Sequence, residues 1–323
     1  VVVISSKYPV PLDEVVGSVA TISQEDIEDR IVNNLGDLME QTIGVSVNKS
    51  TSYGRTYNEG ISIRGLGGKR VNIIVDGIRI SDAYTGYGRD IVEMDLIKRV
   101  EILKGPSSAL YGSDGLAGAV SYITKDASDL ADLGNNYYSI STTYDEDSDQ
   151  NKINFLGATV GQNIEALLQV TSRDLSEGKL HDDASLTPNP LSADQSSVLG
   201  KLKLILSDSF EATITADFQE WEGDIELNSD ETMSFYPVIL NTSESVGVDE
   251  GTRERVSLKL DFLGESFFEN GSINIFTQET EQEQQTTKSQ QTFGNGLQGQ
   301  NIEERVKSLH DNISNIAFFL ILA

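Results

Sequence analysis

Apolar positions along this chain follow two different rules. Up to about residue 127 they come in short solid runs rich in Val and Ile, each stopped by glycine or a turn pair. Val19–Ile22, Val45–Val47, Val71–Val75, 99–103 and Gly118–Thr124 read as strands. Val71–Val75 ends at Asp76-Gly77, a pair that accepts positive φ at both positions and favours a tight type I′ hairpin turn. The strand over 99–103 ends at Gly105-Pro106. Residues 107–111 fit one helical turn closed by Gly112. Ser23 opens a capping-box-like start to a helix reaching about Arg30, and Asn34 can cap another that Gly44 ends. The first 127 residues therefore read as a compact α+β unit with short helices and a small mixed sheet.

From Asn136 the period becomes two. Ile164, Ala166, Leu168 and Val170 alternate with Glu165, Gln169, Thr171 and Arg173. Ala212, Ile214, Ala216 and Phe218 alternate with Thr213, Thr215 and Asp217, and Val256, Leu258, Leu260 and Phe262 with Ser257, Lys259 and Asp261. With weaker versions at 138–144, 153–160, 198–206 and 271–277, this predicts about seven strands of roughly 8–11 residues, the length that crosses a bilayer at a tilt. A soluble sandwich with one wet face shows the same alternation. The connections favour a barrel: Gly161-Gln162 is a tight turn, whereas 174–197 and 223–253 read as long polar loops. Seven or eight strands cannot close around a unit of this size. The apolar run 316–323 also breaks the alternation. The expectation is an incomplete barrel in an N-terminal fragment, or a truncated or frameshifted product, of a longer chain.

Composition removes several classes of function. The chain has 323 residues, no cysteine and two histidines, so Cys-based metal or redox chemistry is excluded and a His-based metal site is not expected. No apolar run is long enough for a membrane-spanning helix. Net charge is −27, divided as −4 over residues 1–127 and −23 over the remainder, which argues against nucleic acid. No nucleophile–base pair, His-Glu-x-x-His helix or phosphate loop stands out, so the chain reads as a non-enzyme without a prosthetic group.

The text of the first unit resembles one family. IRG at 63–65, VDGI at 75–78 and VEILKGPSSALYG at 100–112, in this order, are similar to the plug domain of TonB-dependent outer-membrane receptors, with Gly65, Asp76, Gly77, Gly105, Pro106, Tyr111 and Gly112 as its motif positions. The wider string around residues 65–90 most resembles the haem and haemoglobin branch. The resemblance implies a plug over 1–127, followed over 128–323 by antiparallel transmembrane β-barrel strands. It implies an outer-membrane receptor of a Gram-negative bacterium, embedded in lipid and driven by the TonB-ExbB-ExbD complex. Val1, Val2, Val3, Ile4, Ser5 and Ser6 would then be the TonB box, an extended peptide that pairs with a sheet edge of that partner. Arg64, Glu101 and Lys104 would be latch residues, pairing with carboxylates on the barrel wall. Lys104 stands where the family usually has Arg, and a lysine lacks the bidentate fork.

If haem or a haemoprotein is the cargo, the iron needs an axial His or Tyr. His181 is the loop candidate, and Tyr53, Tyr57, Tyr84 and Tyr87 on plug loops are alternatives. A ferric-siderophore or other nutrient receptor of the same fold needs none of these. A non-transporting, plug-like binding module is the reading from another class.

Overall fold

The computed structural model describes residues 11–15, 17–29, 38–39, 41–47, 60–80, 92–112, 114–146, 149–177, 189–228, 232–235, 238–263, 270–294, 297–308 and 315–322. Two bodies of structure follow one another along the chain.

The first contains β1 (Val19–Ile22), α1 (Gln24–Asp29), β2 (Val45–Val47), β3 (Ile61–Ile63), β4 (Val71–Val75), β5 (Ile78–Ile80), β6 (Ile97–Leu103), α2 (Ser108–Tyr111) and β7 (Gly118–Thr124). Its main sheet has the order β1-β6-β7-β4-β5, with β4 parallel to β7 and the other pairs antiparallel. β4 is buried at all five positions because both its faces are covered, which is why it reads as a solid apolar run. Ile73 and Val75 join the main core, while Ile74 packs with Leu103 and Ala119 on the other side. The β4–β5 turn has φ of 50° at Asp76 and 80° at Gly77, as the pair demands. At the start of α1 the Ser23 hydroxyl accepts the Asp26 N–H at 3.2 Å, and the Asp26 carboxylate accepts the Ser23 N–H at 2.9 Å. Gly118 is required by space: a Cβ there would lie 2.1 Å from the Leu103 carbonyl oxygen.

The second body is a wall of antiparallel strands. It contains β8 (Asn136–Asp145), β9 (Gln150–Val160), β10 (Ile164–Ser176), β11 (Leu191–Ser207), β12 (Phe210–Glu226), β13 (Thr232–Phe235), β14 (Val238–Leu263), β15 (Asn270–Gly294), β16 (Leu297–Ser308) and β17 (Asn315–Leu322). β8 to β12 pair in sequence, β14 follows β12, then β15 and β16, with β13 folded onto β14 and β17 on β15. The wall is inside out relative to a soluble sheet. Polar positions Asn154, Thr171, Ser197, Gln219 and Arg253 are cross-strand neighbours and are buried against the plug side. One residue along, Ile140, Phe155, Val170, Val198 and Phe218 form the neighbouring outward row, with Ile140 75% exposed. Apolar side chains turned outward around a polar interior are the pattern of a lipid-facing barrel wall, not of a sandwich. The two bodies share one apolar seam, in which Leu156, Ala158, Val160, Leu167 and Leu199 of the wall pack with Leu96, Ile97 and Ala127 of the plug.

Three sequence expectations are corrected. The wall has ten described strands rather than about seven: β13, β16 and β17 are additional, and β10, β11, β12 and β14 run on into 174–176, 191–197, 223–226 and 238–253, parts of the stretches read as long loops. Their outward positions are polar, as at Asp174, Asp194, Glu222 and Glu250, while Leu191, Ala193 and Ile225 form a small apolar cluster on the inner parity. The run 316–323, read as out of pattern, pairs as β17 with the lower half of β15, while β16 pairs with its upper half. Finally, strand lengths are unequal. β8 and β9 stop one pair above Tyr144–Asn151, whereas β14 runs on from Glu250 to Val238, roughly 40 Å further at about 3.3 Å per residue.

Candidate functional site

The seam between plug and wall is where charge is concentrated out of water. Ion pairs that cross it take their cation from the inward parity of a wall strand and their carboxylate from the plug. Three latches result.

The first holds the β4–β5 hairpin. The Asp76 carboxylate accepts the Thr124 N–H at 2.9 Å and the Thr124 hydroxyl at 2.7 Å. Arg255 of β14 reaches it from the wall at 3.8 Å and donates to the Val75 carbonyl at 2.9 Å. Arg255 also pairs at 2.8 Å with Asp217, its direct cross-strand neighbour on β12, and Arg253 lies 4.0 Å from the same carboxylate. Burial alone would raise the Asp76 carboxyl, but Lys201, Arg255 and the two Thr124 hydrogen bonds outweigh it and hold the group below the ordinary carboxylate range.

The second latch is the turn that enters β6. Glu93 caps the short 3-10 turn Met94–Leu96 by accepting the Asp95 N–H. It is buried and ion-paired with Arg173 of β10. Asp95 pairs with Lys152 of β9 at 2.9 Å, and Gln169 donates to the Asp95 carbonyl at 3.0 Å and to Asn154 at 2.9 Å. Burial dominates at Glu93 and raises its carboxyl despite Arg173 and Lys152.

The third lies where the plug chain leaves for β8. Asp126 bridges Lys98 of β6 at 2.7 Å and Lys201 of β11 at 2.9 Å, and Lys201 also donates to the Thr124 carbonyl at 3.2 Å. Here too burial works against the charge, but the two lysines win and hold the carboxyl at about 2.

The latch residues expected from the sequence sit elsewhere. Arg64 (φ 54°) and Gly65 (φ 79°) form the turn after β3, with Arg64 exposed and its N–H bonded to the Gly44 carbonyl at 2.8 Å. Glu101 is fully buried and pairs with Arg99 of its own strand at 2.9 Å. Lys104 donates to the Ile43 carbonyl at 2.7 Å, tying two plug segments together. The polarity is also reversed: in the ion pairs that cross from plug to wall, the plug supplies the acid and the wall the base. These wall cations lie far from their partners in sequence. One signal marks them: residues 128–323 are poor in Lys and Arg, yet Lys152, Arg173, Lys201, Arg253 and Arg255 all take the inward parity.

Of the motif positions, Gly105 and Pro106 follow the end of β6, and Gly112 ends α2 with φ of 85°. The Tyr111 carbonyl accepts from Arg79 at 3.5 Å, and burial next to Glu101 raises its phenol. The TonB-box candidates Val1, Val2, Val3, Ile4, Ser5 and Ser6 lie outside the described residues, as do His181, Tyr53, Tyr57, Tyr84 and Tyr87. Among the described residues no group of three or more His, Cys, Asp and Glu is arranged to hold a metal.

The family model described as the TonB-dependent receptor plug domain matches residues 11–119. The chain is 39% identical over 124 residues to the vitamin B12 transporter BtuB of Vibrio vulnificus, covering 38% of this chain and 20% of that protein. It is 29% identical over 244 residues to hemoglobin-binding protein A of Haemophilus influenzae, covering 67% and 23% respectively. Among solved structures, the FrpB iron transporter of Neisseria meningitidis superimposes with a TM-score of 0.64 at 17% identity, over 85% of this chain and 45% of that one. The ferripyoverdine receptor of Pseudomonas aeruginosa gives 0.59 at 14% identity, over 99% and 51%. The chain thus spans about a fifth to a half of the length of these proteins. Plug motifs and plug sheet identify residues 11–119 as a TonB-dependent receptor plug domain, and the plug with its inside-out wall has the fold of the solved iron transporter and ferripyoverdine receptor.

Proposed function

We propose that this chain is part of an outer-membrane receptor that takes up an iron source, with haem or haemoglobin as the cargo. The observation that carries the cargo is the reach of one alignment. The likeness to the hemoglobin-binding protein runs over 67% of the chain and so extends into the wall, whereas that to the vitamin B12 transporter covers 38%. On this reading cargo binds on the outer side of plug and wall. The N-terminal peptide engages TonB, and the pull loosens the three latches so that a path opens past the plug. No covalent step is involved. His181, Tyr53, Tyr57, Tyr84 and Tyr87 are the proposed axial ligands.

A ferric-siderophore receptor is the second reading, favoured by the solved structures of similar fold, among them the ferripyoverdine receptor. Haem titration of the purified receptor separates the two. A shifted Soret band that disappears on replacing His181 with Ala, or one of the four tyrosines with Phe, supports haem. No spectral change at saturating haem, together with binding of a ferric siderophore, overturns it.

A further inference from the structure

Arg255 differs from Lys152 and Lys201 in having a carboxylate on each side. Asp76 approaches it from the plug and Asp217 from the wall, the latter at 2.8 Å and directly across the ladder. Arg255 is 2% and Asp217 1% exposed. Lys152 and Lys201 have no such second partner. Among the described residues their ion pairs are with Asp95 and Asp126, both from the plug. Pulling the plug away therefore has unequal consequences. At Lys152 and Lys201 it strands a cation on the wall, and stranding one member of a buried pair is the costly way to break it. At Arg255 the guanidinium keeps Asp217, and the site left behind stays paired.

We propose that Asp217 is a positioning residue for plug movement, the standby carboxylate that keeps Arg255 paired as the Asp76–Gly77 hairpin departs, and that this hairpin is consequently the first of the three latches to release. Asp217 acts through Arg255 and touches neither cargo nor plug carboxylate in this role. It competes with Asp76 for one guanidinium and so weakens the plug's hold at that point. The sign of its effect follows. Neutralising Asp217 leaves Asp76 without a competing carboxylate at Arg255, so the plug carboxylate is held more tightly. A residue that merely braced the wall would do the opposite, since its loss would loosen the seat. The idea rests on the plug moving as proposed above, but its test does not depend on the cargo.

The test is hydrogen exchange, read by mass spectrometry, of the hairpin amides over residues 73–80 in receptor held in outer-membrane vesicles. Asp217→Asn is expected to slow hairpin exchange roughly tenfold, equivalent to about 1.4 kcal/mol, and Asp217→Glu to restore the original rate. Gln278 is buried and faces Arg255 across the β14–β15 ladder. Gln278→Glu adds a second wall carboxylate and is expected to speed exchange by a similar factor. Unchanged or faster hairpin exchange in Asp217→Asn overturns the proposal. If that variant loses protection throughout β11 and β12, and so has not folded, Gln278→Glu decides. Faster exchange supports the standby role, and unchanged or slower exchange overturns it. A failed haem titration with these exchange results intact would change the cargo and leave the latch order standing.

Discussion

At the scale of single residues, the plug is governed by close approaches and by carboxylates kept ionised. Gly118 sits where a methyl group would strike the Leu103 carbonyl. Gly118→Ala should destabilise the plug by about 2 kcal/mol, within the usual range for overpacking, seen as a lower urea midpoint for loss of plug exchange protection. Asp126 carries the pH dependence. Its carboxyl is held at about 2 by Lys98 and Lys201, below the unfolded value of roughly 3.9. The folded state therefore binds fewer protons than the unfolded one across this interval. The contribution is complete above about pH 4 and fades as pH falls towards 2. Acid titration of plug stability should show this limb, and Asp126→Asn should flatten it. These residue-level features were unequally legible. Asp76-Gly77 announced its turn because two adjacent residues determine it. The partners of Asp76 could not be read, since a contact between residues 76 and 255 depends on strand register, which alternation alone leaves open.

At the scale of elements, the ladder explains both what the pattern revealed and what it hid. Each of the seven segments with an apolar outward face is a strand, because alternation of apolar and polar side chains shows in the sequence independently of register. The upper ends of β10, β11, β12, β14 and β15 carry no such signal because their outward positions are mostly polar. Their boundary with the apolar band is sharp. Asp174, Asp194, Glu222, Glu250 and Glu283 are successive cross-strand neighbours, forming one outward row of carboxylates. From Ile164 to this row is about ten residues, the length of a tilted spanning strand. A charge below the row should be costly and one on it should not. Ile214→Arg is expected to lower the stability of the bilayer-inserted wall by about 2–4 kcal/mol. Glu222→Lys should change it by less than about 0.5 kcal/mol. Reversible unfolding from lipid vesicles measures both, and equal effects at the two positions would contradict this placement of the membrane.

At the scale of the whole molecule, the chain reads as a plug set against the inner face of a wall by an apolar seam and three acid–base latches. The latches are worth most where both partners are buried. Removing the plug carboxylate on which a buried wall cation depends, as in Asp95→Asn opposite Lys152, should weaken plug seating by about 3 kcal/mol and speed exchange of the turn that enters β6. The sequence anticipated that charged pairs hold the plug, but assigned the acids to the wall. The expectation came from motif positions in the plug, whereas the cations are set by inward parity in strands whose identity emerges only when the wall is folded around it. The central claim, uptake of haem iron through a plug that TonB displaces, is tested most directly by growth. The receptor carrying these residues would be expressed in an iron-starved host lacking its own haem receptors, with haemoglobin as the sole iron source. Growth that requires TonB and is lost on deleting residues 1–6 is the result expected here. Growth that is indifferent to TonB, or absent with haemoglobin and present with a ferric siderophore, would contradict it.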